Sequence, residues 1–292
     1  MRIEEKKCRV TVGIPAYNEE HYLSRLLPQL RSQKVSGQIE LAQILVCSDG
    51  SSDDTEKTVE NFARLDGRFE VHHRSVRLGQ TATISEIFQR AGGDIIVLLD
   101  ADVTLPDHRT IERLVLPLIS SKAAISAANV FALPPHSLVE RAAVFSANLR
   151  KHIESLRPIY ALHCAYAVSR KFWDSALPVL PNNLISADAY LFLLALQKGL
   201  AATFSSAVVY YPEQNTLSAF LNQRRRHDYA CKQLEQVFGK FAVQQMHIPV
   251  KALTSGFLKT LVFDLRGGFL WLMLRMTARL LRRPMPHLYR DR

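Results

Sequence analysis

The first hundred residues alternate short apolar runs with longer stretches whose apolar positions recur at helical spacing. Arg9–Pro15 (RVTVGIP) reads as a short buried strand and runs into Pro-Ala-Tyr-Asn-Glu-Glu. Beyond it Tyr22, Leu23, Leu26, Leu27 and Leu30 fall three and four apart, predicting a helix that Asn18 can cap. A second strand is expected over Leu41–Cys47, followed by Ser-Asp-Gly-Ser-Ser-Asp-Asp-Thr. There Asp53 and Glu56 have the spacing of a capping box for a helix reaching about Leu65. A third strand is predicted at Phe69–His73, and a helix after Gly79 that runs to Ala91 and stops at Gly92-Gly93. Ile95–Leu99 is apolar throughout, the mark of a strand covered on both faces. This βαβαβαβ order predicts an α/β fold with a mostly parallel central sheet and flanking helices.

The second half mixes its periods. Leu138, Ala142, Phe145, Leu149, Ile153 and Leu156 form an amphipathic helical series. A strand is expected over Tyr160–Ser169, a helix over Ala187–Lys198 between Ser186 and Gly199, and a strand over Ala201–Val209. A long helix over Thr216–Phe238 contains Gln-Arg-Arg-Arg-His. Two further helices, Ala252–Leu265 and Phe269–Leu281, are expected on either side of Gly267-Gly268. The division drawn from this pattern is a catalytic domain over 1–240 and a basic amphipathic helical extension over 241–292.

Charge separates those two parts. The net charge is +10, yet Pro249–Arg292 holds nine Lys or Arg against two Asp, so most of the excess lies in the extension. Its second helix joins Phe269, Leu270, Trp271, Leu272, Met273 and Leu274 to Arg275, Arg279, Arg282 and Arg283. Apolar side chains flanked by arginines suit a membrane interface, so residues 250–283 are expected to bind a membrane surface peripherally. The aromatics are not interleaved with the charges as base stacking requires, so nucleic acid is not an expected partner. No apolar run reaches the ~20 residues of a spanning helix. The first ten residues lack the apolar region of a signal peptide, and Cys8, Cys47, Cys164 and Cys231 are scattered without a CxxC. A cytoplasmic location on the inner face of the cell membrane is the resulting expectation.

Ligands of parallel α/β sheets bind beyond the carboxyl ends of the strands. Those ends carry Tyr17-Asn18-Glu19, Asp49-Gly50-Ser51 and Asp100-Ala101-Asp102. In extended chain Asp100 and Asp102 point the same way and can share a hard cation, Mn2+ or Mg2+, with substrate phosphates completing its shell. Asp188 stands near the start of a helix, where a carboxylate can be a general base or simply answer the helix dipole. The arginines after Gln223 could neutralise a diphosphate or form a solvated face. His227 could add a metal ligand.

The series VTVGIPAYNEE, CSDGSSDDT, LGQTATISEIFQRAGGDIIVLLDADV, SADAYL and QRRRH resembles family 2 glycosyltransferases from about Val10 to His227. The resemblance implies the GT-A fold, Rossmann-like, and an inverting enzyme that uses a nucleotide-sugar donor. It implies that Pro15, Ala16, Tyr17 and Glu19 line the nucleoside pocket, that Asp49 binds the base, with uracil and hence UDP expected, and that Gly79 belongs to the same site. Asp100, Ala101 and Asp102 match the Asp-x-Asp motif for ribose and metal-bound diphosphate. Asp188 matches the catalytic base, and Gln223 and Arg226 match the element near acceptor and diphosphate. Gln80, Ser85, Ala187 and His227 depart from the common pattern. His227 replaces the Trp typical of processive synthases, so single-sugar transfer to a lipid, lipid-linked or glycan acceptor is expected. The alternatives are a non-catalytic binding or assembly subunit and a sugar-phosphate nucleotidyltransferase. The second would be expected to carry a glycine-rich basic loop where PAYNEE stands.

Overall fold

The computed structural model describes residues 7–120, 123–154, 162–181 and 183–280. The readings made at Leu156, Tyr160, Leu281, Arg282 and Arg283, and for the Arg279 side chain, lie outside the described residues.

Through residue 99 the chain alternates as its pattern predicts: β1 (Cys8–Ala16), α1 (Glu20–Arg31), β2 (Ile39–Asp49), α2 (Thr55–Ala63), β3 (Phe69–Arg74), α3 (Gln80–Arg90) and β4 (Ile95–Leu99). Then follow α4 (Thr110–Ser120), β5 (Ile125–Ala132), α5 (Leu138–Glu154), β6 (Ala165–Ser169), α6 (Arg170–Ala176), α7 (Ala187–Gln197) and β7 (Ala202–Tyr211). The chain continues as α8 (Leu217–Phe238), α9 (Lys240–Met246), α10 (Val250–Phe263) and α11 (Leu265–Leu280).

The sheet has seven strands in the order β3-β2-β1-β4-β6-β5-β7. It is parallel across β3-β2-β1-β4. Beyond β4 it departs from the expected parallel pattern, because β6 enters between β4 and β5 and runs antiparallel to both. All five β4 side chains are buried, as an uninterrupted apolar run requires of a central strand. Leu23, Leu26, Leu27 and Leu30 of α1 and Ile84, Ile87 and Phe88 of α3 are buried with the sheet side chains Val10, Val12, Ile14 and Ile44.

Several local signals are used differently from their sequence reading. Asn18 does not cap α1. Its backbone is left-handed, with φ of 56°, and its Oδ1 accepts from Ser52 N at 2.8 Å. Asp53 does not cap α2 in a box with Glu56: it accepts from Glu20 N at 3.1 Å, in the first turn of α1, and from Thr55 N and Oγ1. Glu56 turns to Ser48 Oγ and His73 instead. Asn18 and Glu56 thus take partners distant in sequence, and Asp53 divides its oxygens between Glu20 and the nearby Thr55.

The chain divides into two compact units. The first runs to Val130 and resumes from Leu162 to Tyr210. The second begins at Phe131 with α5 and resumes at Tyr211. Within the second unit α10 and α11 pack on α5 and share its core. That core gathers Phe145, Leu149, Ile153, Phe220 and Trp271. Trp271 lies against Phe145 and Phe257, with ring centroids 5.7 and 5.9 Å away, so it is a core residue rather than part of an exposed apolar face. The break between the last two helices falls at Asp264, and Gly267-Gly268 lie inside α11. Asp264 accepts from Gly267 N at 2.9 Å and from Arg141 Nη2 at 2.8 Å, which caps α11 and ties it to α5. A Cβ at Gly268 would stand 2.4 Å from Leu261 Cδ1 and 3.1 Å from the Phe145 ring, so this glycine allows close packing rather than a turn. Among the described residues no helix is long and apolar enough to cross a membrane.

Candidate functional site

The parallel register sets the carboxyl ends of β1, β2 and β4 side by side. Ala16 pairs with Ser48, and Gly13 with Leu98. The polar clusters that follow these strands therefore open on one edge of the first unit. The loop after β1 is fastened to the loop after β2: Asn18 N donates to Ser51 Oγ at 3.1 Å, Glu19 N to Thr55 Oγ1 at 2.8 Å, and Glu20 N to Asp53. Pro15 and Ala16 close β1, and Tyr17 is exposed beyond them with the Arg77 guanidinium 3.7 Å above its ring centroid.

Asp49 is almost fully buried at the end of β2. Its Oδ1 accepts from Arg74 Nη1 at 2.9 Å and Leu78 N at 2.8 Å, and its Oδ2 from Gly79 N at 2.7 Å. Arg74 is its register partner on β3 and also pairs with Glu86. Asp49 thus anchors the loop that leads into α3, and the Gly79 N–H is committed to it. The next residue must be glycine: Gly50 has φ of 75°, and a Cβ there would lie 3.0 Å from Arg77 N.

Asp100 and Asp102 follow β4, with Ala101 buried between them. Gln80 Nε2 donates to Asp100 Oδ1 at 3.3 Å, and Asp100 N donates to Cys164 O at 2.9 Å. The latter bond continues the β4–β6 ladder and brings the start of β6 to the same strand end. Asp188 stands in the first turn of α7, where Ser186 Oγ donates to its Oδ1 at 2.5 Å. The Ser186 hydroxyl therefore serves this carboxylate rather than capping the helix backbone.

Electrostatics tie these groups together. Burial and then the Asp100, Asp102 and Asp188 carboxylates push the Cys164 thiol well above its usual range. Burial, Asp188 and Asp100 do the same to Tyr166. Burial, Asp102 and Asp53 raise Glu19 to about 7, and burial, Asp102 and Glu19 raise Tyr22. Asp102 raises groups on both sides of it, the mark of a negative field at the end of β4. Such a field fits a divalent cation held by two carboxylates and substrate phosphates. Among the described residues no three His, Cys, Asp or Glu side chains form a metal-holding group.

The structure thus brings Tyr17, Glu19, Asp49, Gly79, Asp100, Asp102 and Asp188 into the first unit. Gln223, Arg226 and His227 lie on α8 of the second unit, with His227 Nε2 3.9 Å from Cys231 Sγ. Two residues were not singled out by sequence. Arg74 could have been found as the basic residue that ends β3. Arg77 carries no local signal, because its partner is set by loop conformation.

A family description, Glycosyl transferase family 2, matches residues 11–165, more than half of the chain. The chain belongs to this family. Undecaprenyl-phosphate 4-deoxy-4-formamido-L-arabinose transferase of Proteus mirabilis is 37% identical over 116 residues, covering 38% of this chain and 34% of that protein. Dolichyl-phosphate beta-glucosyltransferase of Trichomonas vaginalis is 27% identical over 118 residues, covering 38% and 36%. The matched stretch spans about a third of the length of these curated relatives. Among solved structures, the mannosyltransferase PcManGT from Pyrobaculum calidifontis, in complex with GDP-Man and Mn2+, superposes with a TM-score of 0.60 at 18% identity, covering 95% of this chain and 76% of that one. Glucosyl-3-phosphoglycerate synthase from Mycobacterium tuberculosis, in complex with Mn2+, UDP and phosphoglyceric acid, gives 0.55 at 19% identity, covering 80% and 79%. The family 2 chain therefore has the GT-A fold.

Proposed function

We propose that this chain is an inverting glycosyltransferase that moves one sugar from a nucleoside-diphosphate sugar to a lipid or lipid-linked acceptor. The observation that supports the reading is that Asp100 and Asp102 follow β4 at the same sheet edge where Asp49 ends β2, and that with Asp188 they act on the half-buried Cys164.

Tyr17, with Pro15, Ala16 and Glu19, would line the nucleoside side of the site, and Asp49 would set the loop against the base, taken as uracil. Asp100 and Asp102 would hold Mn2+ or Mg2+, which when bound supplies positive charge to the departing diphosphate. Asp188 would accept the proton of an acceptor hydroxyl as that oxygen attacks the anomeric carbon from the face opposite the leaving group. One displacement of that kind inverts the configuration. The Ser186 hydroxyl, which donates to Asp188 Oδ1, would restrain the side chain in that role. Gln223 and Arg226 are assigned to the leaving group on the sequence motif alone.

The names of the curated relatives support a lipid phosphate as the acceptor class. The protein would work at the cytoplasmic face of a membrane.

The test is a thermal-shift titration with UDP, GDP and their sugar conjugates, with and without Mn2+, on the parent and on Asp188→Asn. A ligand that binds only the folded state raises the melting temperature by mass action. The expected result is a Mn2+-dependent shift with one nucleotide in both proteins, and sugar transfer only in the parent. Folded protein that shifts with no nucleotide would replace this reading with a non-catalytic subunit.

A further inference from the structure

The second unit carries an apolar surface outside the core that holds Trp271. Val262, Phe263 and Leu265, on either side of the Asp264 break, are 79%, 84% and 69% exposed. Along α11 the exposed Phe269, Met273 and Met276 continue it at the spacing of one helical stripe. Large apolar side chains exposed together are uncommon on a surface that faces only water.

The charges nearby identify what fits this surface. Between Val250 and Leu280 the basic residues are Lys251, Lys259, Arg266, Arg275 and Arg279, and the sole acid is Asp264. That acid is already bound by Arg141. A second copy docking through the same surface would bring like charges together. A bilayer with anionic headgroups answers both features, taking the apolar side chains into its acyl boundary and the lysines and arginines at its headgroups.

We propose that the α10–α11 elbow docks on an anionic phospholipid surface, with Val262, Phe263 and Leu265 as its leading apolar side chains. This deepens the membrane location proposed above and moves the contact from Trp271, which is internal, to the elbow. The test needs no substrate, so its outcome is separate from that of the transfer reading.

The experiment is co-sedimentation of the full chain with phosphatidylcholine vesicles, with and without phosphatidylglycerol. The parent is expected to bind the phosphatidylglycerol vesicles and to release as salt rises. Phe263→Ser combined with Phe269→Ser is expected to lower vesicle affinity about tenfold or more, the loss expected for two phenylalanines that leave water on binding. Both are exposed, and an unchanged melting temperature verifies that the variant is folded. Lys259→Glu combined with Arg266→Glu is expected to weaken binding only where phosphatidylglycerol is present. The proposal is overturned if the parent ignores anionic vesicles, or if the double serine variant binds as well as the parent. It is also overturned if light scattering shows a dimer that the serine substitutions separate, which would assign the face to a second copy.

Discussion

Replacing Asp49 by asparagine changes one atom at the centre of the strand-end loop. The parent carboxylate accepts three hydrogen bonds, two from Arg74 and Leu78 at Oδ1 and one from Gly79 at Oδ2. Asparagine can keep its oxygen in only one of those places. Its best rotamer retains the Oδ1 pair and sets an amide N–H against the Gly79 N–H. One charge-assisted bond is lost, worth about 1.5–3 kcal/mol, and a half-buried donor is left without a partner at a further cost of about 1–3 kcal/mol. The two overlap, because part of each is the same desolvation, so the net loss is about 2–4 kcal/mol. In a chain of this size that corresponds to a fall of about 5–15 °C in melting temperature. Thermal unfolding of Asp49→Asn beside the parent, followed by circular dichroism, measures it. The same variant should lose the nucleotide-induced shift, since the loop before α3 is no longer held. A melting temperature within about 1 °C of the parent, well below the expected range, would refute the claim that Asp49 organises this loop.

Glu19 offers a test with a fixed sign. Its carboxyl is raised from 4.5 to about 7, so the folded state binds the proton more tightly than the unfolded state. Stability from this group is complete below pH 4.5 and is lost as pH rises towards 7. Glu19→Gln should therefore be more stable than the parent at pH 8 by about 1–3 kcal/mol and match it near pH 4, read from urea unfolding at both values. Trp271→Ala should destabilise the second unit by about 3–5 kcal/mol, since it empties the space between Phe145 and Phe257, and a tryptophan that really faced lipid would give almost no change.

The order of elements up to β4 was legible because β1, β2 and β4 carry concentrated apolar residues and each helix carries its own period. Asp49, Asp100 and Asp102 were legible as candidates because the architecture says where strand ends meet a ligand, and Asp188 because SADAYL takes its place in the series that resembles the family. What escaped was set by partners far along the chain. Asp53 looks like a cap for α2 until Glu20 N lies beside it, and Asn18 looks like a cap for α1 until Ser52 takes its oxygen. Gly267-Gly268 look like a break, but both are buried inside a helix whose start is fixed by Asp264 and Arg141. Trp271 looks like an interfacial residue because its neighbours in sequence are, and only the packing of α11 on α5 turns it inward. The direction of β6 had no local signature, since a short apolar strand reads the same either way.

The insertion of β6 between β4 and β5 also orders events during synthesis. When β4 and β5 have left the ribosome, the strand that joins them has not. The all-apolar β4 then has its backbone donors and acceptors unpaired on one side until the chain has passed through α5. An exposed apolar edge of this kind invites pairing with the same edge on another nascent chain. Loss of β6 by truncation should therefore produce aggregated protein rather than a soluble nucleotide-binding half, and chaperone dependence should be greatest in the interval before residue 169.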